Sequence, residues 1–237
     1  MKSFRTAAVG LAVLSAGCAG VSSQQFNPQG EPLKTIALIN VPNPAQYEAV
    51  DYGSKAGMFG AIGGAAIAAE AKTMSETLTK AAKEANFDYS REMEAAVAER
   101  LRRAGFKVVM VRAEREAPNA LISDYGKVPA ADADALLDID ARMVGYATYN
   151  ITDPDFRPYL QADVRLVSAK TRAVLYSEKV MFGYQNPYIS ATQLPSDRKY
   201  YFNDFSALMA DKPRAFEGWR QGTRAIADHI AQRLPAH

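Results

Sequence analysis

The 237-residue sequence has only one cysteine and two histidines. A lone cysteine cannot form an intramolecular disulfide, so a packed core must stabilise the chain. The two histidines, His229 and His237, are too few for most metal sites and catalytic triads. A Gly-x-Ser-x-Gly elbow, a His-Glu-x-x-His motif and paired cysteines are also missing from the sequence. These absences predict a protein without cofactor, metal site or catalytic residues, which is not an enzyme.

A strong excess of charge of one sign is missing as well. The chain has 28 basic and 26 acidic residues, which gives a formal net charge of +2. Two of the basic residues, Lys2 and Arg5, precede an apolar run over residues 6–16, a pattern typical of an export signal. Removal of these two with the signal leaves 26 basic residues against 26 acidic ones. The charge therefore gives no reason to expect a nucleic-acid partner.

The single cysteine, Cys18, follows the apolar run and the small residues 15–17 (SAG). This stretch resembles the lipobox of bacterial lipoproteins, in which a Leu-like residue and two small residues precede the cysteine. Here Leu14 lies one place early, and Ser15 takes the aliphatic position. The alternative is an ordinary secretory signal, cut after Ala19, with an incidental cysteine.

The lipoprotein resemblance implies a signal peptide over residues 1–17 and lipidation of Cys18 by a diacylglycerol and a further acyl chain such as palmitate. Several acyl chains are needed because a single chain anchors a protein only marginally. Ala19 and Gly20 contain no Asp retention signal, which implies the outer membrane and a domain that faces the periplasm. Residues 18–33 are rich in Ser, Gln, Gly and Pro and predict a flexible tether.

Hydrophobic periodicity predicts one α+β domain over residues 34–237, with helices packed on a mixed β-sheet. Its first half is predicted to contain a strand at 34–41, helices at 72–86 and 88–104, and a strand at 106–112. A period-2 pattern predicts three antiparallel strands at 135–146, 159–169 and 173–184. A helix over 213–234 completes the domain.

The same alternation places Asp138 and Asp140 on one face of their strand, which we interpret as its solvent-exposed face. Solvated carboxylates are the simplest interpretation. Weak cation binding, together with the nearby Asp132 and Asp134, is an alternative. A periplasmic hydrolase that acts on envelope polymers would depend on Asp138 or Asp140.

The run ADADALLDIDARMVGY (residues 131–146) and the two strands after it resemble a known arrangement. It occurs in curli-secretion-like (CsgG-like) outer-membrane lipoproteins, penicillin-binding-protein activator lipoproteins and the N-terminal domain of TolB. Ala133-Asp134-Ala135 matches their strand-opening Ala-Asp pair, and Thr171-Arg172 stands at the hairpin turn where Thr-Gly is usual. The resemblance covers residues 34–182 and implies a periplasmic binding or assembly module. It does not extend to pore-forming insertions, because no long alternating hairpin is visible.

Residues 56–69 (AGMFGAIGGAAIAA) form an uncharged segment with glycines at helical spacing, namely Gly57, Gly60 and Gly64. Small residues four apart allow two helices to approach closely. As a helix the segment spans about 21 Å, which is short of a hydrocarbon core of about 30 Å. We therefore expect an apolar loop and helix start that packs on the sheet or on a sister subunit. A membrane-touching or oligomer-forming segment is the alternative.

Aromatic residues are concentrated between residues 182 and 205. Such residues dominate many binding surfaces because they bury a large area at low entropic cost. They also seal sheet edges and pack under helices, and this explanation stays open. The residues predicted to bind a partner are Tyr184, Tyr188, Tyr200, Tyr201 and Phe202.

Together these patterns predict a lipid-anchored protein of the outer membrane that serves cell-envelope biogenesis or export as a non-catalytic binding or assembly module. Its partners would be the membrane, through the anchor, and an envelope protein. A periplasmic hydrolase and a membrane-active homo-oligomer formed through the Gly/Ala segment are the alternatives.

Overall fold

The computed structural model describes residues 22–28, 32–53, 60–117, 119–130, 132–184 and 189–234. Within these residues the chain forms one mixed seven-stranded sheet and four α-helices. The predicted α+β class is thus confirmed. In chain order the elements are β1 (Thr35–Ile39), β2 (Glu48–Val50), α1 (Gly60–Glu84), α2 (Tyr89–Arg103), β3 (Lys107–Val111), β4 (Ala135–Ala147), β5 (Arg157–Ser168), β6 (Val174–Phe182), β7 (Thr192–Leu194), α3 (Phe205–Ala210) and α4 (Lys212–Arg233).

The predicted strands and helices are present, with three additions and one shifted boundary. The additions, β2, β7 and α3, are three to six residues long, too short for a clear periodic pattern. The shifted boundary is the start of α1, which begins at Gly60 rather than at the predicted residue 72. The helix α2 begins after the N-cap Asp88, as predicted, and Gly105 follows its end with a φ of 100°.

The strand order in the sheet is β3-β1-β4-β5-β6-β7, and β2 also pairs with β4. β1 is parallel to β3 and to the first residues of β4, whereas β4, β5 and β6 are antiparallel neighbours. β2 runs parallel to β4 at the far end, where Val50 lies opposite Ala147. The carboxyl ends of β2, β4 and β6 therefore lie at one end of the sheet, which we call the Ala147 end.

The main core lies between the sheet and the helices α2 and α4. Trp219 of α4 is fully buried, and its indole Nε1 donates a hydrogen bond to the carbonyl oxygen of Gly145 (2.8 Å). Its ring stacks on Tyr47 at a centroid distance of 4.7 Å. A Cβ at Gly222 would lie 2.7 Å from Phe182, so only glycine allows α4 to approach the sheet this closely.

The other face of the sheet is covered in part by the segment between β3 and β4. Its side chains Ile122, Tyr125 and Val128 are buried in a second apolar cluster. Part of the predicted tether also contacts the body, because Gln24 forms a β-bridge with Ser177 of β6, beyond the residues of β6 that pair with β7. Residues 22–28 of that tether are therefore docked on the sheet edge.

Candidate functional site

Within the first half of α1, residues 64–69 are an uncharged helical segment that does not pack on the body. We call residues 64–69 (GAAIAA) the α1 arm. Ile67 is half-buried and the other five residues are exposed. A Cβ added at Gly64 would meet no atom within 4 Å. The expectation that this segment packs on the sheet is therefore wrong for residues 64–69.

The second half of α1 packs against β2, and these contacts set the direction of the arm. The Oγ of Ser75 accepts a hydrogen bond from the backbone N–H of Ala49, and the Oγ1 of Thr79 accepts one from the N–H of Tyr47 (both 2.9 Å). The helix therefore runs antiparallel to β2. Toward Gly60 it passes the carboxyl end of β2, so the α1 arm leaves the body at the Ala147 end.

The glycines predicted for self-association are only partly described. Gly60 is the first residue of α1, and Gly64 lies on the exposed arm. Gly57 lies outside the described residues. Packing against a sister subunit or a membrane stays a prediction for this segment.

Two exposed apolar side chains lie at the same end of the sheet as the arm. Tyr52, just after β2, is 51% exposed, and Ile151, in the turn after β4, is 50% exposed. The ring of Tyr52 contacts Tyr184 edge-on at 6.1 Å, and Tyr184 also packs against Tyr149 and Tyr159. A cluster of tyrosines thus supports this apolar end.

The structure does not place the predicted partner-binding aromatics on one surface. Tyr200 and Phe202 are 8% and 1% exposed, so they belong to the core and do not form the predicted contact surface. Tyr201 is half-buried, with its hydroxyl 3.0 Å from the Oγ of Ser196. Tyr184 is also half-buried, and Tyr188 lies outside the described residues. Sealing of the core, the second interpretation, is correct for Tyr200 and Phe202.

The prediction that Asp138 is solvated is wrong, because this side chain is fully buried. Its Oδ1 accepts a hydrogen bond from Arg115 (2.7 Å), and its Oδ2 accepts from the hydroxyl of Tyr125 (2.9 Å) and the N–H of Ile122 (2.8 Å). All three donors come from the segment between β3 and β4. Asp138 therefore fixes that segment on the sheet.

Asp140 is also fully buried, which again contradicts the predicted solvent exposure. Within the described part of the chain neither of its carboxylate oxygens has a hydrogen-bond partner. Arg142 approaches it at 3.8 Å and approaches Asp163, its neighbour across the ladder, at 3.6 Å. Burial raises the pKa of Asp140 to about 6, although Arg115 and Arg142 oppose the shift. Burial likewise raises the pKa of Asp163.

The surroundings of the acidic residues also bear on their two other interpretations, weak cation binding and a hydrolase site. Asp134 is a structural residue, since its Oδ2 accepts hydrogen bonds from the N–H groups of Lys34 and Thr35 (both 2.8 Å). Among the described residues, no three His, Cys, Asp or Glu side chains form a group that could hold a metal ion. Asp138 and Asp140, the two acids of the hydrolase alternative, are shielded from an external substrate.

A buried carboxylate that the sequence analysis missed is Glu178 on β6. Its Oε2 lies 2.9 Å from the Nε2 of His229 on α4, and the hydroxyls of Tyr176 and Thr192 donate hydrogen bonds to the same carboxylate. Burial alone would raise its pKa, but the hydrogen bonds from His229, Thr192 and Tyr176 outweigh burial and lower the pKa to about 2. Glu178 borders a cavity of about 540 Å³ under the docked segment. It is ionised at neutral pH and joins β6, β7 and α4.

Comparison with known proteins identifies no family for this chain. No protein-family model and no curated protein matches it. Among solved structures, a DUF330 protein from Xanthomonas campestris is 12% identical, with a TM-score of 0.39 and coverage of 90% of this chain and 93% of that chain. A PelC dodecamer from Paraburkholderia phytofirmans is 13% identical, with a TM-score of 0.31 and coverage of 67% and 76%. Similarity at this level does not extend to function.

None of the helices in the described ranges is both long enough and apolar enough to cross a bilayer. The α1 arm is uncharged, but Glu70 and Lys72 follow it directly in the same helix. The site that the geometry offers is therefore an exposed apolar end, formed by the α1 arm, Tyr52 and Ile151.

Proposed function

We propose that this protein is a lipid-anchored periplasmic protein of the outer membrane and acts as a non-catalytic binding and assembly module in cell-envelope biogenesis or export. The observation that carries the proposal is the exposed α1 arm. Short helices are only marginally stable in water and usually gain their stability from tertiary packing. An uncharged arm of small and apolar residues gains that packing when a partner covers it, so contact is its expected role.

The membrane anchor in this proposal is Cys18, which lies outside the described residues. It is supported by the export signal and by the lipobox-like position of the cysteine in the sequence. The resemblance to CsgG-like and penicillin-binding-protein activator lipoproteins agrees with an anchored assembly module and stays a prediction. The partner is an envelope protein that accepts an apolar helix.

Palmitate labelling and membrane fractionation test the anchor. The full chain should take up label and sediment with the outer membrane, and the Cys18→Ala chain should lose the label and appear in the soluble periplasmic fraction. A Cys18→Ala protein that stays equally membrane-bound contradicts the proposal.

A site-specific photo-crosslinker tests the arm as the contact element. Position 66 lies on the arm, and position 77 is an exposed position on the packed half of the same helix. A crosslinker at 66 should give a discrete adduct in cells, and the same group at 77 should give none. Equal adducts at both positions would remove the arm as the contact element.

Self-association through the arm is the second candidate, and the open space around Gly64 favours it. A second copy could place its own helix against this glycine at short distance. Gly60→Leu combined with Gly64→Leu should then reduce the native mass to that of a monomer. A monomeric mass of the unsubstituted, membrane-extracted chain rejects this candidate.

A further inference from the structure

The docked segment 22–28 determines the direction in which the chain leaves the body toward Cys18. Gln24 and Ser177 exchange both backbone hydrogen bonds, at 2.7 and 3.1 Å, and the N–H of Asn27 donates to the carbonyl oxygen of Leu175 (2.9 Å). The segment is antiparallel to β6. From Asn27 back to Gln24, the chain therefore runs along β6 in the direction of Phe182. This direction leads toward the Ala147 end.

The chain between the docked segment and the proposed anchor is short. Gln24 lies six positions after Cys18, and this stretch spans at most about 20 Å when fully extended. Ser177 lies level with Asp138 across β5, and Ala147 is nine residues further along β4, or about 30 Å. Because the reach of about 20 Å is shorter than the rise of about 30 Å, the Ala147 end meets the membrane only when the sheet tilts so that its side with β6 and β7 approaches the lipid.

The positions of the exposed apolar side chains agree with a chain that leaves the body toward the Ala147 end. Among the described residues, three large apolar side chains are exposed, namely Tyr52, Ile151 and Met110. Tyr52 and Ile151 lie at the Ala147 end. Met110, which is 47% exposed, lies on β3 at the opposite edge of the sheet and level with Leu137. Tyrosine rings are enriched where proteins meet the membrane–water interface, because one end of the ring is apolar and the other is polar.

We propose that the Ala147 end of the anchored protein rests on the lipid surface, with Tyr52 and Ile151 in contact with it. The occupant of this apolar end is the lipid surface because the short chain holds the body close to the bilayer, and the tilt toward β6 and β7 brings the Ala147 end into contact with it. This inference rests on the proposed lipidation of Cys18. The α1 arm leaves the body at the same end, so it meets its protein partner at the membrane surface.

Spin labels on introduced cysteines test this orientation in the full chain. Tyr52→Cys, Ile151→Cys and the matched exposed control Met110→Cys are purified from membranes, labelled and reconstituted in vesicles of zwitterionic phospholipid. Once Cys18 is acylated, the introduced thiol is the only reactive one, so each chain takes up one label. Collision rates with oxygen, which concentrates in lipid, and with a water-soluble nickel chelate then report the surroundings of each label.

The expected result is a rise in the oxygen-to-nickel collision ratio at positions 52 and 151 on reconstitution, relative to the same labels on the soluble Cys18→Ala chain. Position 110 should keep its ratio. Chains with one label and unchanged ratios at 52 and 151 overturn the orientation and leave the anchor intact. Two labels per chain show that Cys18 is a free thiol, which overturns the anchor and this inference with it.

Discussion

The two halves of helix α1 have similar helix-forming compositions and opposite surroundings. In the second half Met74, Leu78 and Ala82 are buried in the core, and Ser75 and Thr79 bond to the backbone of β2. In the first half the arm residues 64–69 have no such contacts and only Ile67 is half-buried. Tertiary packing therefore holds the second half, whereas residues 64–69 depend mainly on intrinsic helix propensity.

This difference separates residues that build the fold from residues that are available for contact. A helix that served only the core could end near the last contact with β2. The arm instead continues along the same axis beyond the body, and it carries no charge that would favour solvent. Substitutions in the packed half should therefore change global stability, and substitutions in the arm should change local order and contact.

The largest expected difference comes from deleting a buried side chain in the packed half. Leu78 is fully buried, so Leu78→Ala removes core contacts and leaves a cavity, at a cost of about 2–5 kcal/mol in the free energy of unfolding. Ile67→Ala in the arm is the matched control and should cost well under half of this. Urea unfolding of the soluble Cys18→Ala chain measures both. Similar losses for the two variants would mean that the arm is packed as tightly as the second half.

A smaller effect is expected at the polar contact between α1 and β2. Ser75→Ala removes the acceptor for the N–H of Ala49, a residue that is fully buried. An unsatisfied buried N–H costs about 1–3 kcal/mol. Thr77 is the matched control because, among the described residues, its hydroxyl bonds only to the carbonyl oxygen of Thr73, four residues earlier on the same exposed helix face. Thr77→Ala should change the stability by no more than about 0.5 kcal/mol, and an equal loss in both variants would show that β2 does not depend on Ser75.

The sequence could predict which residues share a face of a strand, but not which face is covered. Alternation in β4 correctly groups Asp138 with Asp140. It cannot show that Arg115 and Tyr125, from a segment without periodic pattern, fold over that face and bury it. Alternation is a local property of one strand, whereas burial depends on every element packed against it. The prediction of solvated carboxylates failed for this reason.

The local nature of sequence patterns also explains why the exposure of the α1 arm and the contacts of Glu178 were not predicted. Alanine-rich sequence predicts helix, and small apolar residues suggested packing on the sheet, yet the arm extends past β2, the strand against which the second half of α1 packs. The hydrogen bond between Glu178 and His229 joins residues 51 apart in the sequence, and no spacing motif connects them. Elements with strong periodicity were predictable, and contacts between distant segments were not.

The smallest expected effect tests whether intrinsic propensity alone supports the arm. Gly64→Ala adds a methyl group where no atom lies within 4 Å, so it should only improve helix propensity, by about 0.8–1 kcal/mol. This corresponds to about four- to fivefold slower hydrogen exchange of the amides of residues 65–69, and the free energy of global unfolding should rise by no more than the same amount. On the packed helix α4 the same change, Gly222→Ala, is the control. Its new Cβ would lie 2.7 Å from Phe182 and should destabilise the whole fold by about 1–3 kcal/mol. If Gly64→Ala instead lowers global stability, the arm is held by contacts beyond its own backbone, and the two halves of α1 do not differ as described.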